Sequence, residues 1–103
     1  MTKIVLFCAS GMSTSLMETK MLKAANERGF ECAIKAFPVS KCTTEGRDAD
    51  IILLGPQVRF NKTDVEKKCP GIPVEIIDLR DYGTMNGAHV IDHVMEVLNI
   101  ERK

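Results

Sequence analysis

A small α/β protein is what this chain predicts: a four-stranded parallel sheet with helices on both faces. Three observations carry that expectation. Short apolar runs recur along the chain, patterns with helical spacing fall between them, and Gly or Pro punctuates the junctions. Strands that alternate with helices imply βαβ units joined by right-handed crossovers. The 103 residues are enough for one domain, expected to span residues 1–103.

The first strand is Lys3 to Phe7, almost wholly apolar. A helix follows from about Ser15 to Arg28, where Leu16, Met17, Met21, Leu22, Ala24 and Ala25 repeat at helical spacing. Gly29 is placed to end it, since a glycine after a helix accepts the left-handed backbone of its C-terminal cap. The second strand runs from about Glu31 to Phe37, and Pro38 stops it. Ser40 to Arg47 has room for one or two helical turns.

Asp50 to Leu54 is an apolar run suited to a strand buried on both faces. Gly55-Pro56 breaks it, and Val58 to Lys68 carries a weaker helical pattern. Pro73 to Ile77 is the fourth strand. Asp78 to Gly87 reads as a polar loop, and Ala88 to Leu98 as the last helix.

Composition narrows the function. Lys plus Arg equals Asp plus Glu, at 14 each, so the basic excess of a nucleic-acid protein is missing. No apolar run approaches the roughly 18 residues of a membrane span, and the residues before Cys8 are too few for a signal peptide. The expectation is a cytoplasmic protein with reduced thiols. Cys8, Cys32, Cys42 and Cys69 form no CxxC pair and have no histidine at ligand spacing. Neither a metal site nor a dithiol redox motif is therefore indicated, and no cofactor is expected.

In parallel α/β sheets the functional site lies outside the carboxyl ends of the strands. Those ends carry Cys8, Pro38 and Val39, Gly55 to Gln57, and Asp78 to Tyr82. Cys8 is the centre of interest. It closes the first strand and opens the run Ala9, Ser10, Gly11, Met12, Ser13, Thr14, Ser15, which leads into a helix. Backbone amides of such a loop, with the positive end of the helix dipole, make an anion cradle. Gly11 permits close approach of the anion, and the hydroxyls add donors. A thiol in that setting is expected to ionise more easily than a free cysteine. The expected chemistry is nucleophilic attack by Cys8 on phosphorus. The bland alternative is a buried small hydrophobe followed by a turn and an N-cap. No GxxxxGK[ST] pattern is present, so a nucleotide P-loop is not expected.

The loop invites comparison with the low-molecular-weight tyrosine phosphatases, whose fold the chain is expected to share. Their loop has a cysteine, five residues, an arginine, and Ser or Thr. Here Thr14 takes the arginine position and Ser15 follows. A guanidinium clamp on a transferring phosphoryl group is worth several kcal/mol. Its absence favours a site that takes up and holds a phosphoryl group over one that hydrolyses it. A phosphatase-like hydrolase is the alternative reading, and a redox-sensing thiol a third, for which spacing supplies no resolving cysteine.

The stretch Leu6 to Leu16 resembles the cysteine loop of the enzyme IIB components of the lactose/cellobiose/diacetylchitobiose family of the bacterial phosphotransferase system. Ala36-Phe37-Pro38, Leu53-Leu54-Gly55-Pro56-Gln57, Pro73 to Asp78, and Tyr82-Gly83 resemble later segments of that family, in order. Thr43 to Arg47, Arg59 to Lys68 and the last helix depart from it. The resemblance implies a relay in which a phosphohistidine of enzyme IIA phosphorylates Cys8. The phosphorylated Cys8 then serves a disaccharide, of chitobiose or cellobiose type, imported through the membrane enzyme IIC. Cys8 must then be reachable by a partner's side chain, and the protein itself neither spans a membrane nor binds nucleic acid.

Other residues are secondary. Gln57 is placed to reach the cysteine loop or to cap its own. Tyr82 stands at the same rim or packs. Asp78 and Asp81 are expected to be turn or cap residues, because a carboxylate aimed at the site would repel a phosphodianion. His89 and His93 read as a solvated helix face. Met12, Met17 and Met21 offer either an adaptable contact surface or core packing. Cys32, Cys42 and Cys69 read as bystanders.

Overall fold

The computed structural model describes residues 1–9 and 14–100. Its centre is β1 (Thr2–Cys8), which pairs in parallel with β2 (Cys32–Pro38) on one side and β3 (Ile51–Leu54) on the other. β4 (Val74–Ile76) pairs in parallel with β3, giving the order β2-β1-β3-β4. Asp50 starts the β1–β3 pairing with a two-way clamp. Its carboxylate accepts from the Lys3 amide at 2.8 Å, and its own amide donates to the Lys3 carbonyl at 2.8 Å. Pro38 belongs to β2 as its last residue, opposite Cys8. β2 is an edge strand, so the missing N–H of proline costs the sheet no bond there.

Alternation along the strands divides the core into two layers. Ile4, Leu6, Ile51 and Leu53 face α1 (Thr14–Glu27) and α5 (Gly87–Val97). Val5, Phe7, Ile52 and Leu54 face the opposite way, toward α2 (Cys42–Glu45) and α3 (Lys62–Lys68). Each fully buried aliphatic side chain contributes roughly 1.5–3 kcal/mol of transfer free energy. Met17 and Met21 belong to the first layer and are fully buried, so they are core and not contact surface. Gly29 takes φ 66° just beyond α1, as its place in the sequence requires.

Two helical segments differ from expectation. Pro56–Asn61 is a 3-10 turn that leads into α3, with its backbone bent at Val58 to bury that side chain. Residues expected to form a loop after β4 instead contain α4 (Leu79–Gly83). Asp78 caps it, accepting from the amides of Arg80 at 2.9 Å and Asp81 at 3.3 Å. Such a cap stabilises a helix start by about 1 kcal/mol. Buried Tyr82 provides the apolar anchor that polar neighbours conceal in the sequence.

α5 lies tight against α1. Asn86 caps it through the His89 amide at 3.1 Å, and Arg28 ties its middle to the end of α1 through Asp92 at 2.7 Å. A Cβ on Gly87 would sit 2.5 Å from the backbone atoms Lys20 C and Met21 N. Backbone cannot give way as a flexible side chain can. Gly87→Ala is therefore expected to destabilise the fold by about 3 kcal/mol, at the upper end of overpacking costs, measured by urea denaturation. A loss below about 1 kcal/mol would show that the α1–α5 approach is not tight.

Candidate functional site

Chain order runs from β1 outward to β2, then back across β1 to β3. The carboxyl ends of β1 and β3 therefore flank the point where the winding reverses, which is where parallel α/β sheets open a crevice. Cys8 closes β1 at that point, and Gly55 follows β3. The Gly55 amide donates to the Phe7 carbonyl at 2.9 Å, extending the β1–β3 ladder one step.

Gly55 has an ordinary extended backbone, φ −61° and ψ 152°, so glycine is not needed there for conformation. What it leaves is room for a neighbouring side chain. A Cβ at this position would lie 2.8 Å from Gln57 Oε1, 3.6 Å from the Cys8 Cβ and 3.6 Å from the Phe7 carbonyl oxygen. The exposed Gln57 side chain thus folds back over Gly55 toward the Cys8 end of β1, where its carboxamide presents donors and an acceptor.

The α1 N-terminus stands at the same end of the sheet. Thr14 and Ser15 are in its first turn, where backbone N–H groups have no acceptor inside the helix. Ser15 is exposed, and its carbonyl accepts from the Thr19 hydroxyl at 3.2 Å. Ala9 is exposed at the end of β1. Ser10, Gly11, Met12 and Ser13, expected to complete the cradle, lie outside the described residues.

Cys8 itself departs from expectation. Relay chemistry calls for a thiol open to a partner, yet Cys8 is only 1% exposed. It is the last residue of a central strand, in register with Pro38 on one side and beside Gly55 on the other. The remaining cysteines are buried within the two core layers. Burial raises the pKa of Cys32 and of Cys69, which keeps both thiols protonated. Cys69 donates to the Cys42 carbonyl at 3.4 Å. These are packing positions.

The other candidates are sorted by the structure. Tyr82 is 6% exposed and packs in the α1–α5 layer. Asp78 is a cap. Asp81 is a buried carboxylate paired with His89 Nδ1 at 2.5 Å, and His93 Nε2 meets Glu75 at 2.9 Å. Both histidines are exposed, as a solvated helix face requires, and each also meets a carboxylate from another element. No sequence signal marked those pairs, because their partners lie on α4 and β4. Among the described residues no group of three or more His, Cys, Asp or Glu is arranged to hold a metal ion. No described helix is long and apolar enough to cross a membrane.

Comparison with known proteins agrees with this arrangement. The family model described as PTS system, Lactose/Cellobiose specific IIB subunit, matches residues 3–93. The oligo-beta-mannoside-specific EIIB component of Bacillus subtilis (strain 168) is 39% identical over 100 residues, covering 95% of this chain and 97% of that one. The galactose-specific EIIB component of Lactococcus lactis subsp. cremoris is 41% identical over 103 residues, covering 93% and 95%. The solution structure of a cellobiose-specific IIB component from Borrelia burgdorferi superposes with a TM-score of 0.77 at 36% identity, covering 99% and 95%.

The packing at Gly55 makes its own prediction. The atom that a new Cβ would strike is the far end of a flexible side chain. Gly55→Ala is expected to cost less than about 1 kcal/mol in thermal unfolding while shifting the Gln57 side-chain amide resonances in NMR spectra. Unmoved Gln57 resonances would mean that its carboxamide does not rest over Gly55.

Proposed function

Because the chain belongs to the lactose/cellobiose-specific IIB family of the phosphotransferase system, we propose that it carries phosphoryl groups on Cys8 between two partner proteins. The observation that supports this most directly is the placement of Cys8 at the carboxyl end of the central strand, beside the crevice between β1 and β3. The donor is a phosphohistidine of enzyme IIA. The acceptor is a hydroxyl of a disaccharide, of the cellobiose or chitobiose type, brought in by the membrane enzyme IIC. The relatives are named for different sugars, oligo-beta-mannoside, galactose and cellobiose, at similar identity. That pattern fits a sugar chosen by the membrane partner and not by this chain.

In the first step the Cys8 thiolate attacks phosphorus in line with the histidine nitrogen. An S–P bond forms, the N–P bond breaks, and the imidazole keeps the electron pair and takes up a proton. In the second step a sugar hydroxyl attacks. An O–P bond forms, the S–P bond breaks, the hydroxyl proton is released, and the thiolate returns. Both steps are matters of position and charge, with little covalent work for the protein beyond its nucleophile. On this reading the first-turn amides of α1 receive the phosphoryl oxygens, and the Gln57 carboxamide is a further donor. Because Cys8 is 1% exposed, docking has to uncover the sulfur before transfer. The cytoplasm, where both partners present their phosphoryl-handling groups, is the proposed location.

The Thr14 position separates this reading from the hydrolase. Without a guanidinium there, water gains no strong electrostatic help in attacking the phosphocysteine.

Cys8→Ser is expected to fold normally and to accept no phosphoryl group. Intact-mass spectrometry after incubation with phosphoenolpyruvate and the upstream relay proteins checks this, with one added phosphoryl group on the wild type as the positive result. A Cys8→Ser variant that still passed phosphate to sugar would remove Cys8 from the relay. Thr14→Arg is expected to bind inorganic phosphate more tightly and to pass its phosphoryl group on more slowly. Forward transfer at the wild-type rate in single-turnover experiments would show that the missing guanidinium does not matter.

A further inference from the structure

Among the described residues the large apolar side chains left exposed are Met1, Leu16, Leu22, Phe60, Ile76 and Leu79. Met1 is the terminal residue and Leu22 lies on the outer side of α1. The other four share one end of the molecule. Leu16 is in the first turn of α1, Phe60 is in the turn after β3, Ile76 ends β4, and Leu79 starts α4. Single exposed apolar residues need no explanation, but a set gathered at one end marks an interaction surface. This end is the one that carries Cys8.

Phe60 stands out within the set. It is 80% exposed, the most of any large apolar residue after Met1. It is also held in place. The Arg59 guanidinium carbon lies 4.5 Å from the ring centroid, and Arg59 Nη1 donates to the Pro56 carbonyl at 3.0 Å. A cation stacked on the ring and bonded back to the turn orders both side chains before any partner arrives. Aromatic and arginine side chains that are ordered in advance are the usual anchors of protein interfaces.

We infer that the Arg59–Phe60 pair is the anchor by which this chain binds its phosphohistidine-bearing donor, an inference that rests on the carrier function proposed above. Charge selects the donor over the membrane acceptor. The chain has no net charge, so recognition must be local. Beside Phe60 the cationic border is Arg59, exposed and held by two uncharged partners, the Pro56 carbonyl and the Phe60 ring, whereas Arg80 stands between the carboxylates of Asp78 and Asp81 in the sequence. When the donor arrives it brings the phosphoryl dianion, Cys8 carries none, and the cationic border complements the incoming surface. When the acceptor arrives the dianion already sits on Cys8 and offsets that border from within. Phe60 takes no part in the chemistry; it positions the donor.

The test is the rate of Cys8 phosphorylation against the concentration of phosphorylated donor, read by quenched intact-mass spectrometry. Wild type, Phe60→Ala and Leu22→Ala are compared, with thermal melts to confirm folding. Phe60→Ala is expected to raise the KM for the donor about ten-fold or more, the loss typical of an interface anchor, with kcat within about two-fold. Leu22→Ala, an exposed apolar truncation away from the Cys8 end, is expected to change neither. An unchanged KM in Phe60→Ala overturns the inference. Slowed transfer from the phosphorylated variant to sugar in permease-containing vesicles, with the donor KM unchanged, overturns it in favour of the membrane partner. Wild type that takes no phosphoryl group from a charged donor overturns the carrier function itself, and the anchor with it.

Discussion

The parallel pairing of β1 on both of its edges is the constraint on which the rest of the molecule depends. It satisfies the strand's backbone groups without water, so β1 can be buried among apolar side chains on both faces. It divides the helices into two layers, because alternate side chains of β1 and β3 face opposite ways. It also fixes where β1 must end. With Cys8 in register with Pro38, and Gly55 bonded to Phe7, the last residue of the strand cannot move relative to either neighbour without breaking the ladder. Cys8 is therefore positioned by the sheet and not by a loop.

Close approach is the second organising feature, and Gly87 and Gly55 both permit it for the same reason. Gly87 lets the start of α5 meet the backbone of α1, and Gly55 leaves room for the Gln57 carboxamide near Cys8. Neither position has a positive φ, so neither glycine is there for its conformational freedom. The consequences differ because the neighbours differ. Rigid backbone lies against Gly87, and the tip of a mobile side chain lies against Gly55. The first contact belongs to stability and the second to the site.

Where the sequence was readable, a strong local pattern agreed with the global fold. Uninterrupted apolar runs marked β1 and β3, helical spacing marked α1 and α5, and Gly29 marked a helix end. The position of Cys8 followed from strand order and needed no tertiary detail. What escaped was set by contacts between distant elements. α4 spans only five residues of mixed character, and its anchor is the burial of Tyr82, which its polar neighbours hide. The chemistry expected of Cys8 calls for an open thiol, whereas the residue is 1% exposed at the end of a central strand. His89 and His93 are exposed on α5, as a solvated helix face predicts, but the carboxylates they meet, Asp81 on α4 and Glu75 on β4, come from other elements.

On the carrier reading, burial of Cys8 and the threonine at position 14 work in the same direction. Hydrolysis of a phosphocysteine needs water in line with the S–P bond and a positive group to stabilise the transferring phosphoryl oxygens. A cysteine residue that is 1% exposed restricts the first, and threonine in place of arginine at position 14 withholds the second. A partner protein is not limited in the same way, since its binding energy can displace whatever covers the sulfur and its own groups can stabilise the transfer. The same geometry that slows water therefore admits a docked partner. That is the property that distinguishes a carrier from a phosphatase, and it comes from the placement and surroundings of one strand-end cysteine with no further catalytic group required of this chain.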